Sequence, residues 1–311
     1  MVHSRFSESQ NPIYKKVGLI ILNPIISQSE KIGMVDFFKW NNPLQLISDF
    51  IADLHYASYG LVNYQVAETI VVNQFPKFLD GYVYTAEEFL NCWTHQKGFH
   101  QPDKIDYHLL LASHDIFNKI KNGLIDEAWI MAYPYAGLAE SIMVGPNSFW
   151  CNSLPLANTN ETGRRAVIMG FNFERGVGEM LESYGHRAES ILEYAFRKIP
   201  DKNNQNLWKR FIRYDRSHPG KAEVGNIHFA PNSLKDYDWG NQRKVLSNSK
   251  AWYDFPDLSR SPSMENCNEW GNGDIRLHHL WWFHHIPHFE GFSKGISNNW
   301  WEFITDPNKA K

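Results

Sequence analysis

Acidic residues and one histidine recur along a single segment of the chain, between residues 174 and 198. They are spaced three and four positions apart, so they share one stripe of a helix that turns by about 100° per residue. The stripe comprises Glu179, Glu182, His186, Glu189 and Glu193. An imidazole and a nearby carboxylate can bind one divalent cation such as Zn²⁺. This spacing predicts His186 and Glu189 as metal ligands, and the alternative is the solvated face of an amphipathic helix.

Histidines in the C-terminal third of the chain offer further ligands. His228 stands in a short strand-like run, and a cluster close to the C-terminus is interleaved with Trp281 and Trp282. The cluster comprises His278, His279, His284, His285 and His288. Dense histidine clusters are typical of metal binding. We predict His228 as the third ligand, with one of the C-terminal histidines as the alternative and Zn²⁺ as the expected metal.

Candidate catalytic and substrate-binding residues follow predicted strands, at the end of a sheet where open α/β folds bind their ligands. Glu140 lies in an otherwise apolar stretch, where an isolated carboxylate requires a reason. We predict Glu182 or Glu140 as the general base. Tyr135, Asn172 and Trp239 are the candidate substrate contacts, although an asparagine at position 172 is also suited to capping a helix.

Alternating apolar runs and helix-period segments must position these residues. The predicted strands are Val17–Leu22, Val62–Val72, Asp126–Tyr133 and Arg165–Phe171. The predicted helices are Pro43–Ser58, Thr85–Trp93, Asp106–Lys121 and Glu174–Lys198, with a helix after each of the last two strands. This alternation predicts an α/β fold with a mainly parallel sheet and helices on both faces.

The composition changes after residue 213. Residues 1–213 form the predicted α/β core, and residues 214–311 are rich in Gly, Asn, Asp, Ser and Pro. This second segment nevertheless carries seven of the 12 tryptophans. Rings of that size must be buried or stacked, so disorder is excluded. We expect an irregular lobe, rich in Trp and His, that completes the site within one compact unit.

Charge and composition exclude several classes of protein. A net charge of −3 provides no basic surface for nucleic acid. No stretch reaches the roughly 20 apolar residues that span a bilayer. The three cysteines are widely spaced, so we expect no disulfide framework and a structural role for Cys151. We therefore expect a soluble protein, cytoplasmic rather than secreted, that acts on a small-molecule, peptide or sugar substrate.

Three blocks of the sequence resemble a protein family. They are the run from Arg165 to Glu189, which contains Gly-Phe-Asn-Phe-Glu-Arg-Gly-Val-Gly-Glu-Met-Leu-Glu, the run Asn226–Asn232, and the run Asp236–Asn241. Together they are similar to the signature of a family of largely uncharacterised microbial proteins, from about Lys16 to the C-terminus. The resemblance implies that the three blocks belong to one kind of protein, and it implies no particular reaction.

Three functions remain open from the sequence. The first is a metal-dependent hydrolase that acts on an amide or peptide-like bond. The second is a metal-free glycoside hydrolase, with paired carboxylates as acid and base and tryptophans as platforms for sugar rings. The third is a binding or assembly protein whose aromatic lobe forms an interface.

Overall fold

A computed structural model of the chain describes residues 11–27 and 29–311. These residues fall into two compact units. The α/β unit comprises residues 15–51 and 64–187, and the C-terminal unit comprises residues 11–14, 52–63 and 188–311. The predicted boundary after residue 213 stays a prediction, and residues 1–10 of the predicted core lie outside the described residues.

Strands and helices alternate along most of the described chain. The strands are β1 (Ile13–Leu22), β2 (Ile25–Ser27), β3 (Ile32–Gly33), β4 (Val62–Val72), β5 (Glu127–Ala132), β6 (Ser141–Val144), β7 (Ala166–Asn172), β8 (Val245–Ser247), β9 (Ser263–Glu265), β10 (His288–Ser293) and β11 (Ile296–Asn299). The α-helices are α1 (Met34–Phe38), α2 (Pro43–Ala57), α3 (Ala86–His95), α4 (Tyr107–Ser113), α5 (Ile116–Lys121), α6 (Val177–Phe196), α7 (Leu207–Phe211), α8 (Ile275–His284) and α9 (Trp301–Thr305). Within the described residues, no helix is long and apolar enough to cross a membrane.

A mostly parallel sheet forms the centre of the fold. Among the described residues it has five strands, in the order β4-β1-β5-β7-β6. Strand β5 pairs in parallel with β1 and β7, while β6 pairs antiparallel with β7. All six residues of β5 are buried, as expected for a strand that is covered on both faces. The predicted α/β class with a mainly parallel sheet is confirmed.

Local sequence signals explain where several elements begin. The apolar run Val17–Leu22 is buried throughout, so the first predicted strand is confirmed as the second half of β1. Thr85 and Glu88 form a capping box at the start of α3, in which each side chain accepts the other residue's backbone N–H. Strand β4 has the predicted bounds, Val62–Val72.

Two sequence predictions about helices were wrong. The segment predicted as one helix, Asp106–Lys121, forms two helices, because Asp115 adopts a left-handed backbone conformation (φ 58°) through which a helix cannot continue. In the described chain, strand β6 rather than a helix is the next element after β5. The chain turns back instead at Tyr135 and Gly137, which have φ values of 62° and 78°, and then forms the antiparallel strand β6.

The long helix α6 has one apolar and one acidic side, as predicted. Residues on the apolar side are buried, namely Val177, Met180, Leu181, Tyr184, Ala188, Ile191, Leu192 and Ala195. The acidic side is not a uniformly solvated stripe, since Glu182 is 8 % exposed while Glu193 is exposed. The helix contributes Val177–Arg187 to the α/β unit and Ala188–Phe196 to the C-terminal unit.

Tryptophans form the core of the C-terminal unit, whose regular elements are short. Its fully buried rings include Trp208, Trp252, Trp270, Trp282, Trp300 and Trp301. The ring centroids of Trp252 and Trp300 are 5.7 Å apart in an edge-to-face arrangement, which aromatic pairs favour. Buried rings therefore order this loop-rich segment, as the sequence predicts.

Candidate active site

A cavity of about 230 Å³ lies in the α/β unit, at the carboxyl ends of β5 and β7. Its lining comes from the segment after β5, the end of β7, the turn after β7, the first turns of α6 and one loop residue. The residues are Asp103, Tyr133, Pro134, Tyr135, Ala136, Gly137, Leu138, Glu140, Gly170, Phe171, Asn172, Arg175, Glu179, Met180, Glu182 and Ser183. This is the end of a parallel sheet where ligands bind.

Two glycines allow the backbone around the cavity to pack closely. A Cβ atom on Gly170 would lie 2.3 Å from the carbonyl oxygen of Ala139, and one on Gly137 would lie 2.5 Å from the backbone nitrogen of Ile105. Neither position has room for a larger residue. The hydroxyl of Tyr107 accepts the backbone N–H of Ala139 at 2.8 Å, which fixes the segment next to Glu140.

Four of the predicted site residues meet in this cavity, namely Tyr135, Glu140, Asn172 and Glu182. Glu140 is exposed and accepts a hydrogen bond from the side-chain amide of Asn152. The Asn172 side chain accepts the backbone N–H of Glu174 at 2.9 Å, so it caps the turn after β7 rather than helix α6 itself. Tyr135 stacks on Phe99, with ring centroids 3.6 Å apart.

The cavity wall is strongly acidic. It carries the carboxylates of Asp103, Glu140, Glu179 and Glu182 and the single guanidinium of Arg175. Desolvation raises the pKa of Asp103, and the charge of His100 opposes this shift. Glu179 accepts the backbone N–H of Gly176 at 3.1 Å, ahead of the first turn of α6. The site suits a cation or a ligand rich in hydrogen-bond donors.

Glu182 and His186 lie one turn apart on α6. An Oε1 atom of Glu182 is 4.0 Å from Nε2 of His186, and their side chains are 11 % and 16 % exposed. Glu182 also lines the cavity. A carboxylate and an imidazole held this close, and mostly out of water, are a chemically reasonable pair of ligands for a borderline cation.

The other two predicted ligands, Glu189 and His228, belong to the C-terminal unit. Glu189 accepts the backbone N–H of Ile227 at 3.0 Å. The His228 ring lies between two polar groups, with Nδ1 3.1 Å from a carboxylate oxygen of Asp236 and Nε2 3.3 Å from the hydroxyl of Tyr237. Their assignment as metal ligands stays a prediction.

Trp239, the third predicted substrate contact, also lies in the C-terminal unit, where it is 5 % exposed. Its indole N–H donates to the carbonyl of His228 at 3.1 Å, and its ring stacks on His278 with centroids 4.8 Å apart. Most of the ring is therefore already covered by protein.

Cys151 fits the structural role predicted for it. All three cysteines are free and buried. Burial raises the pKa of Cys151 to about 11, and the hydrogen bond with Ser141 opposes this shift. A thiol with so high a pKa is a poor nucleophile near neutral pH.

Two polar residues of the cavity wall, Asp103 and Ser183, were not singled out from the sequence. Ser183 is one position after Glu182 and four after Glu179, so the helical spacing that singled out its neighbours could have found it. Arg175 lies in the turn after β7, and a segment that follows a strand of an open α/β sheet is a candidate for ligand binding. Asp103 comes from a loop without periodicity, and no sequence signal marks it.

Histidines of the C-terminal cluster are largely buried. Neither ring nitrogen of His278, nor Nε2 of His285, meets a hydrogen-bond partner among the described residues. Burial lowers the pKa of His285 to about 3, although the Trp281 carbonyl that bonds its Nδ1 opposes the shift. Both rings are therefore neutral at pH 7.

These buried histidines should make the C-terminal unit sensitive to acid. The folded pKa of His285 lies below its unfolded value near 6.5, so its stabilising contribution is complete above pH 6.5 and is lost as the pH falls toward 3. We expect up to about 1.4 kcal/mol of lost stability per pH unit for one such histidine.

Urea unfolding followed by tryptophan fluorescence at about pH 7.5, 6.5 and 5.5 measures this dependence. The variant His285→Phe should flatten the slope, and His95→Phe, at an exposed position on α3, should leave it unchanged. The same slope in His285→Phe as in the wild type would contradict the assignment.

No family model, curated protein or solved structure matches the chain. The candidate function therefore rests on the chemistry of the residues described above.

Proposed function

We propose that the protein is a metal-dependent hydrolase that acts on an amide or peptide-like bond in the cavity of the α/β unit. One observation carries the proposal: Glu182, which lines the same cavity as Glu140, lies 4.0 Å from the imidazole of His186. Glu182 therefore connects the cavity, whose wall also carries the separate carboxylate of Glu140, with an imidazole on the next turn of α6. A metal-dependent hydrolase needs both metal ligands and a separate general base.

In this proposal Glu182 and His186 act as ligands, with an oxygen and a nitrogen donor that suit Zn²⁺. A divalent cation held there would polarise the scissile carbonyl and make water more acidic. The sequence left Glu182 and Glu140 as alternative general bases. With Glu182 as a ligand, Glu140 would be the general base. Glu189 and His228 remain predictions from the sequence as further metal ligands.

Glu140 is suited to accept a proton. It is solvent-accessible, and the Asn152 amide that donates to it holds the carboxylate in one orientation. A general base must lie within hydrogen-bond reach of the proton that it removes, and Glu140 lines the cavity in which the substrate would bind. Tyr135 and Asn172 on the same wall would orient the substrate, and Arg175 would attract a terminal carboxylate of a peptide.

Glycoside hydrolysis is the second candidate, and a specific feature favours it. Glu140 and Glu182 line the same cavity together with the rings of Tyr133 and Tyr135. Paired carboxylates that flank a glycosidic bond can act as acid and base without a metal. The two candidates differ in their need for a cation, which makes them experimentally separable.

Glu140→Gln should lower kcat/KM about 100-fold or more, since it removes the proton acceptor with little change in shape. The measurement uses fluorogenic aminoacyl amides and short peptides in parallel with nitrophenyl glycosides, before and after treatment with a chelator. Glu87→Gln, at an exposed position in the first turn of α3, is the matched control and should keep full activity.

Amide hydrolysis that the chelator abolishes and Zn²⁺ restores would support the proposal. Glycoside hydrolysis that survives the chelator would replace it with the second candidate. Amide hydrolysis at the wild-type rate in Glu140→Gln would remove Glu140 from its assigned role.

A further inference from the structure

A second cavity, of about 340 Å³, lies within the C-terminal unit. Four of its lining residues are cationic, namely Arg210, Arg213, Lys221 and Arg260. Among the described residues, Glu223 is the only acidic residue in the lining. The wall of this cavity therefore has the opposite charge to that of the candidate active site.

The cationic side chains differ in how fully they are neutralised. Arg210 donates to Glu223 at 2.7 Å, and Arg260 lies 2.8 Å from a carboxylate oxygen of Asp254. Lys221 forms no ion pair within the part of the chain that the structure describes. At least one positive charge is therefore left for a ligand.

Arg213 gives the more specific indication. Its side chain is 10 % exposed, and its terminal nitrogens lie 2.7 Å from the side-chain oxygen of Asn204 and 3.3 Å from Asp201. Its Nε atom is buried and has no hydrogen-bond partner among the described residues. A buried donor left without an acceptor costs about 1–3 kcal/mol, so an anion bound close enough to accept this N–H would remove that cost.

We propose that this cavity binds the phosphate or sulfate group of a small anionic ligand. Guanidinium groups present several N–H donors in a fixed plane and match the oxygens of such groups well. Leu246, Leu258 and Pro262 form an apolar part of the wall, which would contact the organic part of the ligand. Burial lowers the pKa of nearby His218, and the charges of Arg213 and Lys221 add to the shift, in keeping with a positive local field.

The site is independent of the proposed hydrolase function, because its residues all belong to the C-terminal unit. It would therefore bind its ligand even if the protein cleaves no amide bond.

Calorimetric titration of the full-length protein with inorganic phosphate, and separately with inorganic sulfate, tests this proposal. Chloride at matched ionic strength is the reference for nonspecific screening. We expect saturable binding and a rise in the thermal midpoint with ligand concentration, since the anion stabilises the state that binds it. Glycerol phosphate and an aryl sulfate then show which of the two esters binds more tightly.

Two variants test whether the anion binds in this cavity. Arg213→Lys keeps the charge and removes the Nε donor, and it should weaken binding about 10-fold. Lys221→Ala changes an exposed residue, and it should weaken binding about 3- to 10-fold. Lys244→Ala, an exposed lysine outside the cavity lining, is the matched control and should bind like the wild type.

No saturable binding to the wild type at millimolar anion would overturn the proposal. Equal affinities in Lys221→Ala and Lys244→Ala would also overturn it. Because Lys221→Ala tests the site by itself, poor folding of Arg213→Lys would not prevent this decision.

Discussion

Replacing Arg187 by methionine is expected to lower the free energy of unfolding by about 3–5 kcal/mol. Arg187 is fully buried in the α/β unit and donates two hydrogen bonds to the Glu127 carboxylate, at 2.7 and 2.6 Å. Glu127 is 2 % exposed, so the variant would leave a negative charge buried without its partner. An uncompensated buried charge is among the most destabilising changes that one substitution makes.

The surroundings of the pair explain why methionine is a severe test. The indole N–H of Trp129 also donates to Glu127, at 2.7 Å, and the Arg187 guanidinium lies 4.9 Å from the ring centroid of Tyr184. These groups pack around a carboxylate that is 2 % exposed, so bulk water solvates it little. Denaturant unfolding monitored by circular dichroism measures the loss.

Two companion variants make the test specific. Glu127→Gln/Arg187→Met removes both charges, retains an oxygen acceptor for Trp129, and should recover much of the lost stability. Arg197→Met, at an exposed position just after α6, should cost less than about 1 kcal/mol. A loss below about 1 kcal/mol in Arg187→Met would contradict this description of the core.

The sequence was sufficient for elements that carry a local signal. The buried apolar run in β1 and the apolar face of α6 follow from hydrophobic periodicity. The start of α3 follows from Thr85 and Glu88, because a capping box satisfies backbone groups at a helix terminus whatever the tertiary context.

Other elements depend on contacts that the sequence does not display. The left-handed conformation of Asp115 divides a continuous helical pattern, and no Gly or Pro marks the position in the sequence. Strand β6 has only four residues, and a short apolar run cannot be assigned to a strand or helix by periodicity alone.

The candidate site was partly predictable for the same reason. Tyr135, Glu140 and Asn172 follow strands, and Glu182 lies on a periodic helix, so general rules locate them. Asp103 reaches the cavity from a loop, through tertiary structure alone. Trp239 shows the converse, since a large ring in a loop-rich segment indicates burial without indicating which residues will surround it.

Loss of metal from His186→Ala is the second large effect that we expect. On α6, the imidazole of His186 is the nitrogen ligand next to Glu182. Without it, the single carboxylate of Glu182 would bind a hydrated cation only weakly. Glu182→Gln should have a similar effect, because a neutral amide replaces the charged ligand with almost the same shape. His95→Ala removes an exposed histidine from α3 and should retain the metal.

Elemental analysis of the purified wild type, His186→Ala, Glu182→Gln and His95→Ala, before and after chelator treatment, tests the central proposal most directly. We predict about one Zn, Mn or Fe per chain in the wild type and in His95→Ala, and less than about a tenth of that in the other two variants. Full metal occupancy in His186→Ala, or no metal in wild-type protein expressed with supplemented metal, would contradict the proposed metal site.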